Sequence, residues 1–96
     1  MISEIHEDGS VDVNGKVIIY KSDLIDGKLP IKFGYVSGNF VCDYIDLKSL
    51  EGCPQEVGGE FDCSHNNLTS LEGCPKEVGE DFDCYHNQLT SLEGCP

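Results

Sequence analysis

Arginine is absent from this 96-residue sequence, and its six lysines are outnumbered by 18 aspartates and glutamates. The formal net charge is therefore −12 at pH 7. Nucleic acids and anionic membrane surfaces are bound through basic patches, because lysine and arginine neutralise their phosphates. The composition argues against both as direct ligands.

Long hydrophobic runs are absent as well. No apolar stretch approaches the roughly 18 residues of a membrane span, and the start MISEIHEDGS has neither the basic nor the apolar part of a signal peptide. Hydrophobic residues make up 39% of the chain, which is too many for a disordered acidic tail. The sequence predicts a soluble, cytoplasmic protein that makes no membrane contact.

A 21-residue repeat runs through residues 40–96. A period within the range of about 20–29 residues is typical of a solenoid, in which each coil buries its apolar face against the next coil. Phenylalanine, cysteine, leucine and proline all recur with this period, in the series Phe40/Phe61/Phe82, Cys42/Cys63/Cys84, Leu47/Leu68/Leu89, Leu50/Leu71/Leu92, Cys53/Cys74/Cys95 and Pro54/Pro75/Pro96.

The charge divides the chain at the same place. Residues 1–39 carry four lysines and six acids, whereas residues 40–96 carry two lysines and twelve acids. Upstream of the repeats, the string SVDVNGKVII predicts a β-hairpin closed by Asn14-Gly15, and residues 18–29 predict a degenerate coil about one residue longer than the others. We therefore interpret residues 1–39 as an N-terminal hairpin cap with a degenerate first coil, and residues 40–96 as three coils.

Within one coil, FDCSHNNLTSLEGCPKEVGED, the alternation of Phe61 and Cys63 predicts a short strand with both side chains inward. Asn66 follows where the chain must turn, and its amide can satisfy backbone groups there and in the next coil. The run Gly73-Cys74-Pro75 breaks any helix, so we expect the return leg to be turn or extended structure.

The pattern Phe-x-Cys-x-x-Asn-x-Leu-x-x-Leu is similar to the core of the leucine-rich repeat, with Phe and Cys in leucine positions. The string LTSLEGCPKEVG resembles short arrays encoded by bacteriophages and other large DNA viruses. The resemblance covers residues 40–96. It implies a mainly β, right-handed solenoid of about three to four coils, to which the segment before the repeats adds the N-terminal β-hairpin cap. The 21-residue series predict parallel strands at 40–44, 61–65 and 82–86.

Six cysteines are present, all in the repeats. They replace leucines at equivalent coil positions, so we expect them to pack in the core as small hydrophobic residues, with disulfides or a metal site as the alternatives. Such use of cysteine is typical of a reducing compartment. We predict no metal and no cofactor.

The outward positions of the predicted strands are the candidate protein-binding site. Tyrosine, histidine, aspartate and asparagine on a rigid sheet are typical of protein-binding surfaces, although any solenoid must carry polar residues outside. In the resembling fold these positions lie on the concave face. Besides Val41 and Ser64, the outward residues are Asp43, Tyr44, Asp46, Asp62, His65, Asn67, Asp83, Tyr85, His86 and Gln88.

Acidic residues also stack from coil to coil, as in Asp62/Asp83, Glu51/Glu72/Glu93 and Glu56/Glu77. Like charges opposite each other are mildly destabilising, so either duplication copied them harmlessly or their field steers the protein to a basic partner. His65 and His86 recur at one position, where they form a solvated pair or give pH-dependent binding.

No nucleophile motif and no cleft-forming insertion is present, so we expect no catalysis. We predict a non-catalytic, acidic protein-binding module whose partner has a basic groove. The resemblance narrows this to a phage-type inhibitor of a host nucleic-acid-binding or defence protein, acting in the host cytoplasm. The alternative is a self-assembling module that stacks through an open coil ending at Pro96, with a homodimer through that edge. A cation-binding solenoid ranks last, because its carboxylates lack the spacing of a calcium loop.

Overall fold

The computed structural model describes residues 2–90, which form a mainly β solenoid of about three turns. The chain order is β1 (Ile2–Ile5), β2 (Val11–Val13), β3 (Val17–Ile18), a 3₁₀ turn (Lys21–Asp23), β4 (Phe33–Val36), β5 (Phe40–Val41), β6 (Glu56–Val57), β7 (Phe61–Asp62), β8 (Glu77–Val78) and β9 (Phe82–Asp83). No helix in this part of the chain is long and apolar enough to cross a membrane.

The strands form two sheets, and each coil contributes one short strand to both. The first sheet has the order β1-β2-β4-β6-β8 and the second has the order β3-β5-β7-β9. All neighbours pair in parallel except β1 and β2. In the second sheet Phe40 pairs with Phe61 and Phe61 with Phe82, so the register equals the 21-residue repeat.

The predicted parallel strands of the repeats are present but shorter than expected. They span residues 40–41, 61–62 and 82–83, although backbone hydrogen bonds between coils continue to Tyr44, whose N–H donates to Ser64 O at 3.2 Å. The return legs are extended as predicted. Within them, Glu56–Val57 and Glu77–Val78 are strands β6 and β8 of the first sheet. The sequence did not predict this sheet.

The N-terminal hairpin exists, but its predicted position was wrong. It joins β1 to β2 in antiparallel fashion, and Asp8 Oδ1 accepts hydrogen bonds from the Ser10 N–H and hydroxyl in its turn. Asn14-Gly15 instead forms the corner between β2 and β3, which belong to different sheets. The parallel partners β4 and β5 hold the two strands apart, so they cannot pair with each other.

Glycines at this corner let successive coils approach closely. A Cβ built on Gly58 would lie 2.3 Å from Ser37 O, and one built on Gly79 would lie 2.2 Å from Gly58 O. The Gly59 N–H donates to Gly38 O at 3.0 Å, so the corner is also hydrogen-bonded from coil to coil. The first coil is 23 residues long in this register, because Val17 pairs with Phe40. It is thus longer than the sequence predicted.

The core is a column of repeated side chains. Phe40 and Phe61 stack with ring centroids 5.7 Å apart, and Phe61 and Phe82 follow at 5.4 Å. Cys42, Cys53 and Cys63 are buried free thiols, which confirms core packing for these three. Burial raises the pKa of each thiol, so the thiolate is disfavoured. Cys74 is buried and Cys84 is half-buried at equivalent positions.

Asn66 is a buried hydrogen-bonding centre, as its position predicted. Its Oδ1 accepts from the N–H groups of Ile45 and Leu47 at 3.1 and 2.9 Å, and its Nδ2 donates to Cys42 O at 2.8 Å and Cys63 O at 3.0 Å. The neighbour that it reaches is therefore the preceding coil, not the next one. Predictions about Cys95, Glu93, Leu92 and the coil edge ending at Pro96 concern residues outside the described range.

Candidate protein-binding face

Aromatic and imidazole rings form a ladder along the outer side of the second sheet. The rings of Tyr44 and His65 stack at 4.0 Å between centroids, and those of His65 and His86 stack at 4.3 Å. Tyr85 contacts His65 and His86 edge to face, at 5.1 and 4.8 Å. We call these four residues the ring ladder. Tyr44, His65 and His86 occupy one position of the 21-residue repeat, and Tyr85 lies one position before it in the third coil.

The backbone beneath the ladder is unusual. Tyr44, His65 and His86 have φ angles of 55, 54 and 55°, in the left-handed region that favours glycine. The left-handed residue ends the inside–outside alternation of the strand, and the chain turns inward at the next residue, Ile45 after Tyr44 and Asn66 after His65. This geometry places the rings at the end of each strand. Sequence alternation alone did not reveal the left-handed positions.

Three half-buried carboxylates lie on the same outer side: Asp43, Asp62 and Asp83. Asp62 pairs with Asp83 in register, and its Oδ1 accepts hydrogen bonds from the Ser64 N–H at 3.0 Å and the Ser64 hydroxyl at 2.6 Å. The nearby charge of Asp83 raises the pKa of Tyr85, which keeps that phenol protonated. We call the ring ladder with these carboxylates the ladder face.

Glu60 adds a carboxylate at the start of the second-sheet strand, which the sequence interpretation missed. Partial desolvation raises its pKa, and the charges of Asp62, Asp81 and Asp83 raise it further. Glu60 and these three aspartates therefore lie within one region of negative charge. The signal in the sequence was the acid directly before each strand, Glu60 before Phe61 and Asp81 before Phe82.

The remaining predicted site residues form a separate row. Asp46, Asn67 and Gln88 are exposed and lie two positions beyond the ring ladder in each coil. Asn67 Nδ2 donates to Asp46 Oδ1 at 3.2 Å, and Lys21 Nζ lies 2.7 Å from Asp46 Oδ2. The Lys21 hydrogen bond lowers the pKa of Asp46. The buried residues Ile45 and Asn66 separate this row from the ladder face.

Ser64 does not belong to the exposed surface, contrary to the prediction. Its exposed fraction is 2%, because its hydroxyl turns to Asp62. The ladder face therefore consists of seven residues, four with rings and three with carboxylates.

Ion pairs are distributed unevenly over residues 2–90. Five cation–carboxylate contacts occur there, and the cation is His6, Lys21, Lys28 or Lys32 in every one. Their acids are Glu4, Asp8, Asp12, Asp46 and Glu51. The carboxylates of the ladder face take part in none of them. Their negative charge is balanced by no cation in the described part of the chain.

One group in the described part of the chain has the donor spacing of a metal site. Side-chain atoms of Glu4, His6 and Asp12 lie within 4.8 Å of one another. Both imidazole nitrogens already contact carboxylates, His6 Nε2 at 2.9 Å from Asp12 and Nδ1 at 3.2 Å from Glu4. Glu4 and Asp12 are opposite each other across the hairpin, so the imidazole separates two like charges. This group is accounted for as an ion-pair cluster.

The chain matches no family model, no curated protein and no solved structure in the comparisons.

Proposed function

We propose that this protein is a non-catalytic, acidic module that binds a basic surface of another protein through its ladder face. The observation that carries the proposal is the ring ladder itself. Three consecutive coils hold Tyr44, His65 and His86 at positive φ, where a left-handed backbone costs a bulky residue on the order of 1 kcal/mol. Tyr44 and His86 are exposed and His65 is half-buried, so these rings add little to the core, and this cost supports a role in binding.

Charge supports the same proposal. The carboxylates of the ladder face lack cations of their own, so their field extends into solvent and favours the approach of a basic partner. Tyr44 and Tyr85 have exposed fractions of 67% and 56%. Tyrosine is enriched at the energetic centres of protein interfaces, where its ring is buried by the partner.

A narrower proposal follows from the resemblance to phage-encoded arrays. In it the basic partner is a host nucleic-acid-binding or defence protein, and the acidic face occupies the groove that otherwise takes nucleic acid. The uncompensated carboxylates support this competition, because they present the same sign of charge as a phosphate backbone.

Paired charge removals test the proposal. Asp62→Asn with Asp83→Asn removes two in-register charges from the ladder face and retains acceptor oxygens for Ser64 and Tyr85. The matched control is Glu56→Gln with Glu77→Gln, which removes two in-register charges from the first sheet. Partners are captured from host lysate at low and high salt, identified, purified and measured by calorimetry.

We expect the ladder-face variant to weaken the purified complex at least tenfold, whereas the control weakens it much less. Added salt should weaken the wild-type complex, because ions screen the attraction. The proposal would be contradicted by an affinity that does not change with added salt, or by an equal loss of affinity in the ladder-face and control variants.

Self-assembly is the second candidate function, and one observation favours it. On the last strands of the two sheets, Val78 and Phe82 are half-buried, whereas their counterparts Val57 and Phe61 have exposed fractions of 2% and 0%. A second copy could cover this apolar surface. Sedimentation at increasing protein concentration tests it, since assembly requires a mass above that of one chain and a monomer at all concentrations excludes it.

A further inference from the structure

The ladder face combines two features, unpaired carboxylates and exposed aromatic rings. Its carboxylates pair with no cation among residues 2–90, and the same surface exposes the rings of Tyr44 and Tyr85. Asp83 is close enough to Tyr85 that its charge is the main cause of the raised tyrosine pKa. A carboxylate and an aromatic ring thus lie side by side on the outer surface.

Lysine and arginine could both pair with the carboxylates of this surface, but their side chains bind in different ways. A lysine ammonium is a compact, strongly hydrated charge, which carboxylates attract with little regard to geometry. An arginine guanidinium is planar and weakly hydrated, so it can stack on a ring while its N–H groups donate to a neighbouring carboxylate. A ring beside a carboxylate therefore suits arginine better than lysine.

The carboxylates are also held in place. Asp62 Oδ1 is fixed by two hydrogen bonds from Ser64, and Asp83 accepts one from the Tyr85 N–H at 3.4 Å. Asp62 and Asp83 are neighbours across parallel strands, a spacing of roughly 4.8 Å. Fixed acceptors favour the rigid fork of arginine, because less freedom is lost when its hydrogen bonds form.

We propose that the ladder face recognises arginine side chains in preference to lysine, with the guanidinium stacked on Tyr85 and hydrogen-bonded to Asp62 or Asp83. This inference rests on the proposed function and specifies the chemistry of the partner. The partner segment is basic and rich in arginine, as distinct from merely positively charged.

Two short peptides of equal length and charge test it, one alternating glycine with arginine and the other alternating glycine with lysine. Each is titrated into the full-length protein, with calorimetry for affinity and amide NMR shifts for location. We expect the arginine peptide to bind tighter by a factor on the order of three to ten. The largest shifts should fall in residues 43–44, 62–65 and 83–86.

Tyr85→Leu removes the ring without changing charge, and Tyr35→Leu on the first sheet is its control, since Tyr35 is also exposed. The Tyr85 variant should lower the affinity for the arginine peptide to that for the lysine peptide, and it should leave lysine binding unchanged. The Tyr35 variant should retain the wild-type ratio. The comparison of the two peptides on the wild-type protein stands even where a variant folds poorly.

The outcomes separate the two proposals. Equal affinities for both peptides, lost in the Asp62→Asn, Asp83→Asn variant, would overturn the arginine preference and leave the acidic binding face intact. Binding of neither peptide, or binding that shifts only the first sheet, would overturn both. An arginine preference that survives Tyr85→Leu would refute the stacking geometry.

Discussion

Charged side chains are paired differently in two regions of the molecule, the N-terminal segment (residues 2–39) and the repeats (residues 40–90). Every cation in the ion pairs of this range comes from the N-terminal segment. Two of these cations reach forward, Lys21 to Asp46 at 2.7 Å and Lys28 to Glu51 at 3.4 Å. The N-terminal segment thus compensates two acids of the first repeat coil. The acids of the ladder face receive no such partner, so negative charge accumulates along the solenoid.

The two regions also differ inside. Where its strand turns inward, the second repeat coil has the buried Asn66, whose amide makes three hydrogen bonds to the preceding coil and two within its own coil. The first repeat coil has Ile45 at this position. The N-terminal segment joins the repeats through the parallel strand pairs β3–β5 and β4–β6 and through apolar residues of the shared core. Surface ion pairs contribute little to stability, so the strand pairs and the shared core hold this segment in place.

The largest expected effect is the loss of the asparagine link. Asn66→Leu leaves several buried backbone groups without partners, which should lower the free energy of unfolding by about 3 kcal/mol or more. Asn87→Leu makes the same change at a half-buried position and should cost about half as much. Urea unfolding followed by circular dichroism measures both. Equal losses would show that the burial of Asn66 does not matter.

A smaller effect is expected at the glycine corner. Gly58→Ala forces a Cβ to within 2.3 Å of Ser37 O, and this overlap should destabilise the fold by about 2–3 kcal/mol. Gly9→Ala in the hairpin turn meets nothing within 4 Å but has a φ of 87°, so its cost is that of the backbone alone, about 1 kcal/mol. Melting temperatures compare the two variants. A smaller loss of melting temperature for Gly58→Ala than for Gly9→Ala would contradict the close approach of the coils.

The buried thiols come next. Cys63→Ala should destabilise by roughly 1–3 kcal/mol, because it removes buried apolar surface and leaves a small cavity. Reductant should leave the wild-type melting temperature unchanged, and alkylating reagents should modify Cys63 only after unfolding, because burial raises the thiol pKa. Rapid alkylation of the native protein would contradict this account of the core.

The repeat predicted more of this molecule than any single motif did. The Phe and Cys series fixed the register of the second sheet, since a 21-residue step leaves one pairing for each coil. The first sheet was missed because Glu56-Val57 and Glu77-Val78 are too short to show alternation. The Asn14-Gly15 signal failed because tertiary pairing with β4 and β5 overrides a local turn preference.

The sequence predicted most of the residues of the candidate site, but not how they are arranged in space. Alternation along the strand placed all the polar residues outside. It could not show that left-handed residues bring Tyr44, His65 and His86 into one stack, or that the hydroxyl of Ser64 turns to Asp62. Both depend on backbone geometry that alternation does not specify, although histidine, unlike tyrosine, is among the residues enriched at positive φ.

The smallest effect is expected in the N-terminal segment, where His6 forms an ion-pair cluster with Glu4 and Asp12. The hydrogen bond to Asp12 raises the pKa of His6, and the charges of Asp12 and Glu4 raise it further. A group whose pKa is raised on folding stabilises the protein below its unfolded pKa, and this stabilisation disappears as the pH rises through the folded value. The free energy of unfolding should therefore fall, relative to a His6→Gln variant, as the pH rises above about 6.5, the ordinary pKa of histidine. Subtracting the variant's curve removes the pH dependence that the two proteins share, so the difference isolates His6. The difference should be small, because the cluster is exposed and solvent screens its charges. If the free energy of unfolding changed with pH in the same way in the wild type and in His6→Gln, the ion pairs of His6 would not contribute as described.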